Sequence, residues 1–188
     1  MSQAKVLNQQ ELRRVLDHVA TRRHSARNRA MLLLTHFAGM RVAEVAALRI
    51  NDVLNSDNTI KGEVRLMPTQ TKGKYARTVY LNERMQKELE KYIKTIRIKD
   101  VTKPLFYTQK QAGFSANSLT GYFFYLYRAV GLEGASSHSG RRSFLTGLAN
   151  KGTAIHILKS LAGHRNISTT AAYLYSSPDQ LKAAVELV

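Results

Sequence analysis

Apolar positions follow two different rhythms along the chain. Leu12, Val15, Leu16 and Val19 recur at helical spacing behind Asn8, a good N-capping residue, and predict an amphipathic helix. Met31-Leu32-Leu33-Leu34 is an unbroken apolar run inside a second helix, predicted to start at a Ser25 cap and to stop at Gly39. A run of that kind leaves no face for water, so this helix is expected to be buried all round. A third helix starts near Arg41 and carries Val42, Val45, Ala46 and Leu48.

After a turn signal at Asn55-Ser56-Asp57-Asn58 the rhythm changes to two. Glu63-Val64-Arg65-Leu66-Met67 and Ala76-Arg77-Thr78-Val79-Tyr80-Leu81 alternate and predict strands. Thr71-Lys72-Gly73-Lys74 between them reads as a basic turn, giving a β-hairpin. Helical spacing then returns from Glu83 to about Ile98, Ser118 to Val130, Ser139 to Lys151 and Ala154 to Leu161, with a short helix near Ser168 to Tyr173. A last helix is predicted from Pro178. There is no internal repeat and no long linker. The fold class expected is mainly α with a small antiparallel β-sheet (α+β), as one domain over residues 1–177 with a tail helix at 178–188.

Composition adds a partner. Lys plus Arg number 29 against 13 Asp plus Glu, a formal net charge of +16 spread along 188 residues. A folded domain with this balance attracts polyanions, nucleic acid first among them. The absence of cysteine excludes disulfides, thiolate zinc sites and a cysteine nucleophile. No apolar run approaches the ~20 residues that span a bilayer, and Met-Ser-Gln-Ala-Lys-Val carries no signal segment. A cytoplasmic protein with no membrane association is expected.

Four clusters can carry chemistry. Arg41 follows a helix-ending glycine and opens the next helix, with Glu44 one turn on to hold its guanidinium. Lys72 sits at the hairpin tip beside Gly73. His138-Ser139-Gly140-Arg141 opens a helix, capped by Ser137 or Ser139, and puts His138 and Arg141 within reach of one anion. Gly163-His164 ends another helix, and Ser168 or Thr169 caps the short helix that carries Tyr173. Taken singly, each has an ordinary reading: a surface Arg–Glu pair, a solvated turn lysine, a polar helix start, one core tyrosine among nine.

Taken in order, the clusters resemble the tyrosine recombinase, or phage integrase, family. Its signature runs Arg, a hairpin Lys, His-x-x-Arg, Gly-His, and a Tyr nine residues after that His. Here these are Arg41, Lys72, His138 with Arg141, Gly163-His164, and Tyr173, with Glu44 matching the acidic residue three after the first Arg. The resemblance runs from about Leu7 to Tyr173. Two positions depart from it: Gly140 and Arg142 stand where relatives often have Leu and His. Gly140 removes an apolar side chain expected to pack the helix start. Most relatives also carry a core-binding domain before the catalytic one. This chain starts about where the catalytic domain should, so it resembles either the short recombinases of the fimbrial phase-variation type or a fragment of a longer integrase.

The resemblance implies a site-specific DNA recombinase that acts without metal or other cofactor. Arg41, Arg141 and His164 would donate to the phosphoryl oxygens as charge builds on them. Tyr173 would attack, His138 would take its proton, and Lys72 would protonate the leaving 5′-hydroxyl. A 3′-phosphotyrosine linkage then stores the bond energy for rejoining. Lys74, Arg77, Arg142 and Arg165 are candidate contacts to double-stranded DNA, and family members self-associate on it as a tetrameric synapse, the tail often docking on a neighbour. A non-catalytic DNA-binding accessory protein and a type IB topoisomerase-like activity are the competing expectations, and Tyr175 is the rival nucleophile.

Overall fold

Asn8 caps the first helix as its position predicts. Its side chain accepts the Glu11 N–H at 2.8 Å, and the Glu11 carboxylate accepts the Asn8 N–H at 3.0 Å. Two otherwise orphaned donors are satisfied at once, a contribution of about 1 kcal/mol. The helix, α1, runs Gln9–Ala20 and buries Val15, Leu16 and Val19. The computed structural model describes residues 3–71, 73–110, 112–174, 182, 185 and 186. By compactness the chain divides into residues 1–144 and 145–188. The domain boundary expected at 177/178 and nearly all of the tail helix lie outside the described residues.

Helix α2, Ser25–Phe37, holds the Met31–Leu34 run fully buried, as predicted. Its cap differs from expectation. His24 is the N-cap, in the left-handed region at φ 61°, with no side-chain cap bond, and Ser25 is the first helical residue. Only four residues separate the two helices. The tight reversal through His24 draws Ser25 into the first turn, where a cap cannot form. Gly39, at φ 61°, ends the helix, and the Met40 N–H returns to the Leu34 carbonyl at 3.2 Å. Helix α3, Val42–Ala47, follows with Arg41 at its N-cap, and a four-residue helix, α4, spans Ile50–Val53. The sequence pattern did not predict α4, because one turn is too short to show a period.

Strands β1, Glu63–Leu66, and β2, Arg77–Tyr80, pair antiparallel with Glu63 opposite Tyr80 and Leu66 opposite Arg77. Val64, Leu66 and Val79 face the core. The Lys74 N–H donates to the Thr71 carbonyl at 3.2 Å, a turn bond at the predicted place, but the whole connection from β1 to β2 is longer than that turn. A 3₁₀ helix at Pro68–Gln70 lies within the connection, and the Gln70 amide donates to the Ala47 carbonyl at 3.1 Å and to Asp52 at 2.7 Å. The root of this loop is thereby fastened to α3 and α4.

Helix α5, Glu83–Ile93, stops five residues before the expected Ile98. The Thr95 hydroxyl takes the Tyr92 carbonyl at 2.6 Å, and the Ile96 N–H turns to Ile93, so the ladder ends there. Helix α6, Ala116–Ala129, starts earlier than Ser118 because Ser115 accepts the Ser118 N–H at 3.1 Å. The aromatic side chains Phe106, Phe123 and Tyr127 complete the core of the first unit.

Helix α7 is Ser139–Ala149, α8 is Ile155–Ala162 and α9 is Ile167–Ala171. Neither Ser137 nor Ser139 caps α7: Ser136 Oγ accepts the His138 N–H at 3.3 Å, while Ser139 Oγ accepts the Ser136 N–H at 2.9 Å. Gly163 ends α8 in the left-handed region, as predicted. Asn166, rather than Ser168 or Thr169, caps α9 by accepting the Ser168 N–H at 2.9 Å. Among the described residues no helix is long and apolar enough to cross a membrane.

Candidate active site

Arg41 is held at two points by one carboxylate. Its backbone N–H donates to Glu44 Oε2 at 2.7 Å, and its Nη1 donates to Oε1 at 2.9 Å. Glu44 has no solvent exposure. A buried carboxylate needs its charge met, and Arg41 is only one of its partners. Arg77, from β2, donates through Nε to Oε1 at 3.0 Å and through Nη2 to Oε2 at 2.7 Å. Burial pushes the Glu44 carboxyl up, but the hydrogen bonds and charge of Arg77, and then of Arg41, outweigh it and hold the group below its ordinary value.

The two guanidinium groups differ in exposure. The Arg41 side chain is 25% exposed and that of Arg77 only 9%. Arg77, a candidate DNA contact, directs Nε and Nη2 at Glu44 and so braces the carboxylate that braces Arg41. A signal for this was present in the strand. Arg77 stands two residues before the inward Val79, and alternation puts both on the same face.

Arg141 is 4% exposed, and its Nη1 donates to the Gly39 carbonyl at 2.7 Å. That acceptor lies two residues before Arg41, so Arg141 is anchored to the short segment between α2 and α3 that carries Arg41. The start of α7 is pressed against the end of α2. A Cβ at Gly140 would lie 2.0 Å from Thr35 Oγ1, 2.7 Å from Thr35 Cβ and 3.0 Å from His36 Cδ2. The volume that a leucine would fill here is therefore taken by Thr35 and His36. Burial alone lowers His36 to a pKa of about 4, and its Nε2 has no hydrogen-bond partner among the described residues.

The remaining candidates are more dispersed. His138 is exposed and lies one turn before Arg141, and its carbonyl accepts the Arg142 N–H at 2.9 Å. Arg142 is half-buried and hydrogen-bonds Gln3. Lys74 and Arg165 are exposed, Lys74 in the left-handed region at φ 54°. Lys72 and Tyr175 lie outside the described residues.

In the second unit His164 and Tyr173 meet directly. Their rings stack with centroids 5.9 Å apart and planes 19° from parallel. The His164 Nδ1 lies 3.0 Å from the hydroxyl of fully buried Thr170, which orients the imidazole. Tyr173 was expected on the short helix. It lies in the turn just beyond α9, with its N–H on the Thr170 carbonyl at 3.0 Å. Thr170 thus fixes both residues, the histidine by its side chain and the tyrosine by its backbone.

The chain belongs to the phage integrase family, whose profile matches residues 5–180. Among individual proteins it is 30% identical to the tyrosine recombinase XerD of Rickettsia conorii, over 96% of this chain and 62% of that one. It is 28% identical to the tyrosine recombinase XerA of Pyrococcus horikoshii, over 85% of this chain and 54% of that one. The chain therefore spans less than two thirds of these curated relatives. The crystal structure of XerA recombinase superposes with a TM-score of 0.77 at 19% identity, covering all of this chain and 66% of that one. The Tn1549 transposon integrase in complex with a circular intermediate DNA gives a TM-score of 0.79 at 21% identity, covering all of this chain and 67% of that one. Both likenesses establish the shared fold.

Proposed function

We propose that this chain is the catalytic portion of a site-specific DNA recombinase that cleaves and rejoins strands through a 3′-phosphotyrosine intermediate. The observation that carries the reading is the double anchoring of the arginines, Arg41 on buried Glu44 and Arg141 on the Gly39 carbonyl. Guanidinium groups fixed before substrate arrives cost no reorganisation as charge builds on a phosphoryl oxygen. Their fork suits bidentate contact with phosphate.

In this mechanism Tyr173 Oη attacks the phosphorus and the 5′-oxygen leaves. Arg41, Arg141 and His164 donate to the non-bridging oxygens. His138 accepts the phenol proton, and Lys72 protonates the departing 5′-oxygen, which leaves as the 5′-hydroxyl. A second 5′-hydroxyl then attacks the phosphotyrosine and restores the strand without ATP. Lys74, Arg142 and Arg165 contact the backbone of double-stranded DNA, and copies associate on DNA into the synapse that strand exchange between two duplexes requires.

A nicked suicide substrate, from which the short 5′-hydroxyl fragment diffuses away, tests the reading. The parent protein should give a covalent adduct on a denaturing gel, and Tyr173→Phe should bind DNA but give none. Adduct from Tyr173→Phe at the parental yield would overturn the assignment, and peptide mapping would then show whether Tyr175 carries the DNA.

A further inference from the structure

The catalytic arginines gather at the C-terminal end of α2. The N-terminal end of the same helix opens on a separate cleft of about 1040 Å³. Thirteen residues of helix separate the two ends, roughly 20 Å at 1.5 Å per residue. Its walls come from the turn before α2, from the segment after α5, and from the loop around Tyr107.

This cleft is strongly cationic. Arg23, Arg27, Arg97, Lys99 and Lys103 line it, against Asp100 as the one carboxylate. Asp100 is already engaged: it accepts the Thr102 N–H at 2.8 Å and the Thr102 hydroxyl at 2.7 Å, with Lys103 at 3.8 Å. Arg23, Arg97 and Lys99 are exposed and make no ion pair among the described residues. Arg27 is different, because the fold uses it as a wall. It donates to the Tyr107 carbonyl at 2.5 Å and to Asn28 Oδ1, and it lies over the Phe114 ring at 5.2 Å. None of those partners is anionic, so its charge stays unmatched. The crowding is felt by His24, whose pKa is lowered by burial first and then by the charges of Arg27 and Arg23. α2 adds its uncapped positive end beneath the same residues.

Cations left unpaired around a concavity raise the local anion concentration, and guanidinium forks favour phosphate among anions. We propose that this cleft is a second phosphate-binding site, which takes the backbone of a DNA segment other than the one cleaved. It rests on the reading that DNA is the chain's ligand. It adds a contact that carries affinity and position without base recognition.

The test compares Arg23→Ala/Arg97→Ala/Lys99→Ala with the parent chain and with an equal-charge control, Arg13→Ala/Arg14→Ala/Lys87→Ala, whose residues are exposed and outside the cleft. Affinity for a duplex extending well beyond the cleavage point is measured against salt. Loss of three phosphate contacts should make the log–log slope shallower by about 2 to 3. The control should keep the parental slope, and both variants should give parental adduct yield at saturating protein. A parental slope in the cleft variant would overturn the proposal. So would an equal change in the control, which would mean bulk charge alone. Inorganic pyrophosphate, titrated by calorimetry, separates the other phosphate source: cleft-dependent pyrophosphate binding with an unchanged DNA slope would assign the cleft to a free phosphate compound and overturn the DNA assignment. The slope needs no cleavage, whereas the phosphotyrosine reading fails only in the Tyr173→Phe adduct assay.

Discussion

Gly140→Ala tests how the second arginine is positioned. The added methyl would stand 2.0 Å from Thr35 Oγ1 and 2.7 Å from Thr35 Cβ. Thr35 cannot simply rotate away, because its hydroxyl donates to the Leu32 carbonyl at 2.7 Å inside the core. Relief therefore requires either that buried bond, worth about 1 kcal/mol, or movement of the start of α7 by roughly 1 Å. Overpacking of this kind costs about 1–3 kcal/mol. The opposing gain, alanine over glycine in a helix, is at most ~1 kcal/mol. The net expectation is a loss of about 1–2 kcal/mol in urea denaturation. Activity should suffer more than stability, because the displaced turn carries Arg141 and its 2.7 Å bond to Gly39. A misplacement of ~1 Å can cost a catalytic step up to about 100-fold. Adding Thr35→Ala should restore part of both losses, since it removes Oγ1 but leaves the Cβ contact. A Gly140→Ala protein that is more stable than the parent and forms adduct at the parental rate would refute the reasoning.

Three further expectations follow from the same geometry. Arg77→Lys keeps the charge but loses the fork on Glu44; adduct formation should slow at least about tenfold while the salt slope of DNA binding stays parental, whereas a shallower slope would make Arg77 a phosphate contact after all. His36, buried with a folded pKa of about 4 against an ordinary ~6.5, binds fewer protons folded than unfolded. Its stabilisation is therefore complete above the unfolded value and is lost as pH falls through the window between them, about 2 kcal/mol by pH 5. Urea midpoints at pH 7 and 5 for the parent and His36→Leu check this, and an equal pH dependence in both would remove His36 as the cause. Thr170→Val deletes the hydroxyl at His164 Nδ1 and should cost about 1 kcal/mol together with a slower adduct step; an unchanged imidazole tautomer by ¹⁵N NMR would show that Thr170 does not orient the ring.

What was legible in the sequence was local. The Asn8 cap, the buried Met31–Leu34 turn and the alternating strands each announce themselves within a few residues, and the structure places them as predicted. The misplaced caps at Ser25 and Ser168 show the limit of residue type: His24, with no side-chain cap bond, precedes α2, and Asn166, two residues before Ser168, caps α9, because the turn's geometry decides which residue becomes the cap. The site was legible as an ordered set of residue types, and its supports were not. Thr35 and Gly140 are 105 residues apart in sequence, and Glu44 and Arg77 are separated by 33. Close approaches of that kind depend on packing that no window of sequence contains. Arg77 is the exception, since its parity with Val79 already marked it as inward.

The Arg141 anchor has a further consequence for how this protein responds to change. Its acceptor is a main-chain oxygen, that of Gly39, and no side-chain replacement can delete it. An alanine scan of the surroundings would pass over this contact. Position 39 would register only because a side chain there meets both the positive φ and the Phe144 ring, 2.4 Å from where a Cβ would sit. Intolerance at Gly39 would then report backbone strain and the Phe144 ring, at the residue whose carbonyl holds Arg141.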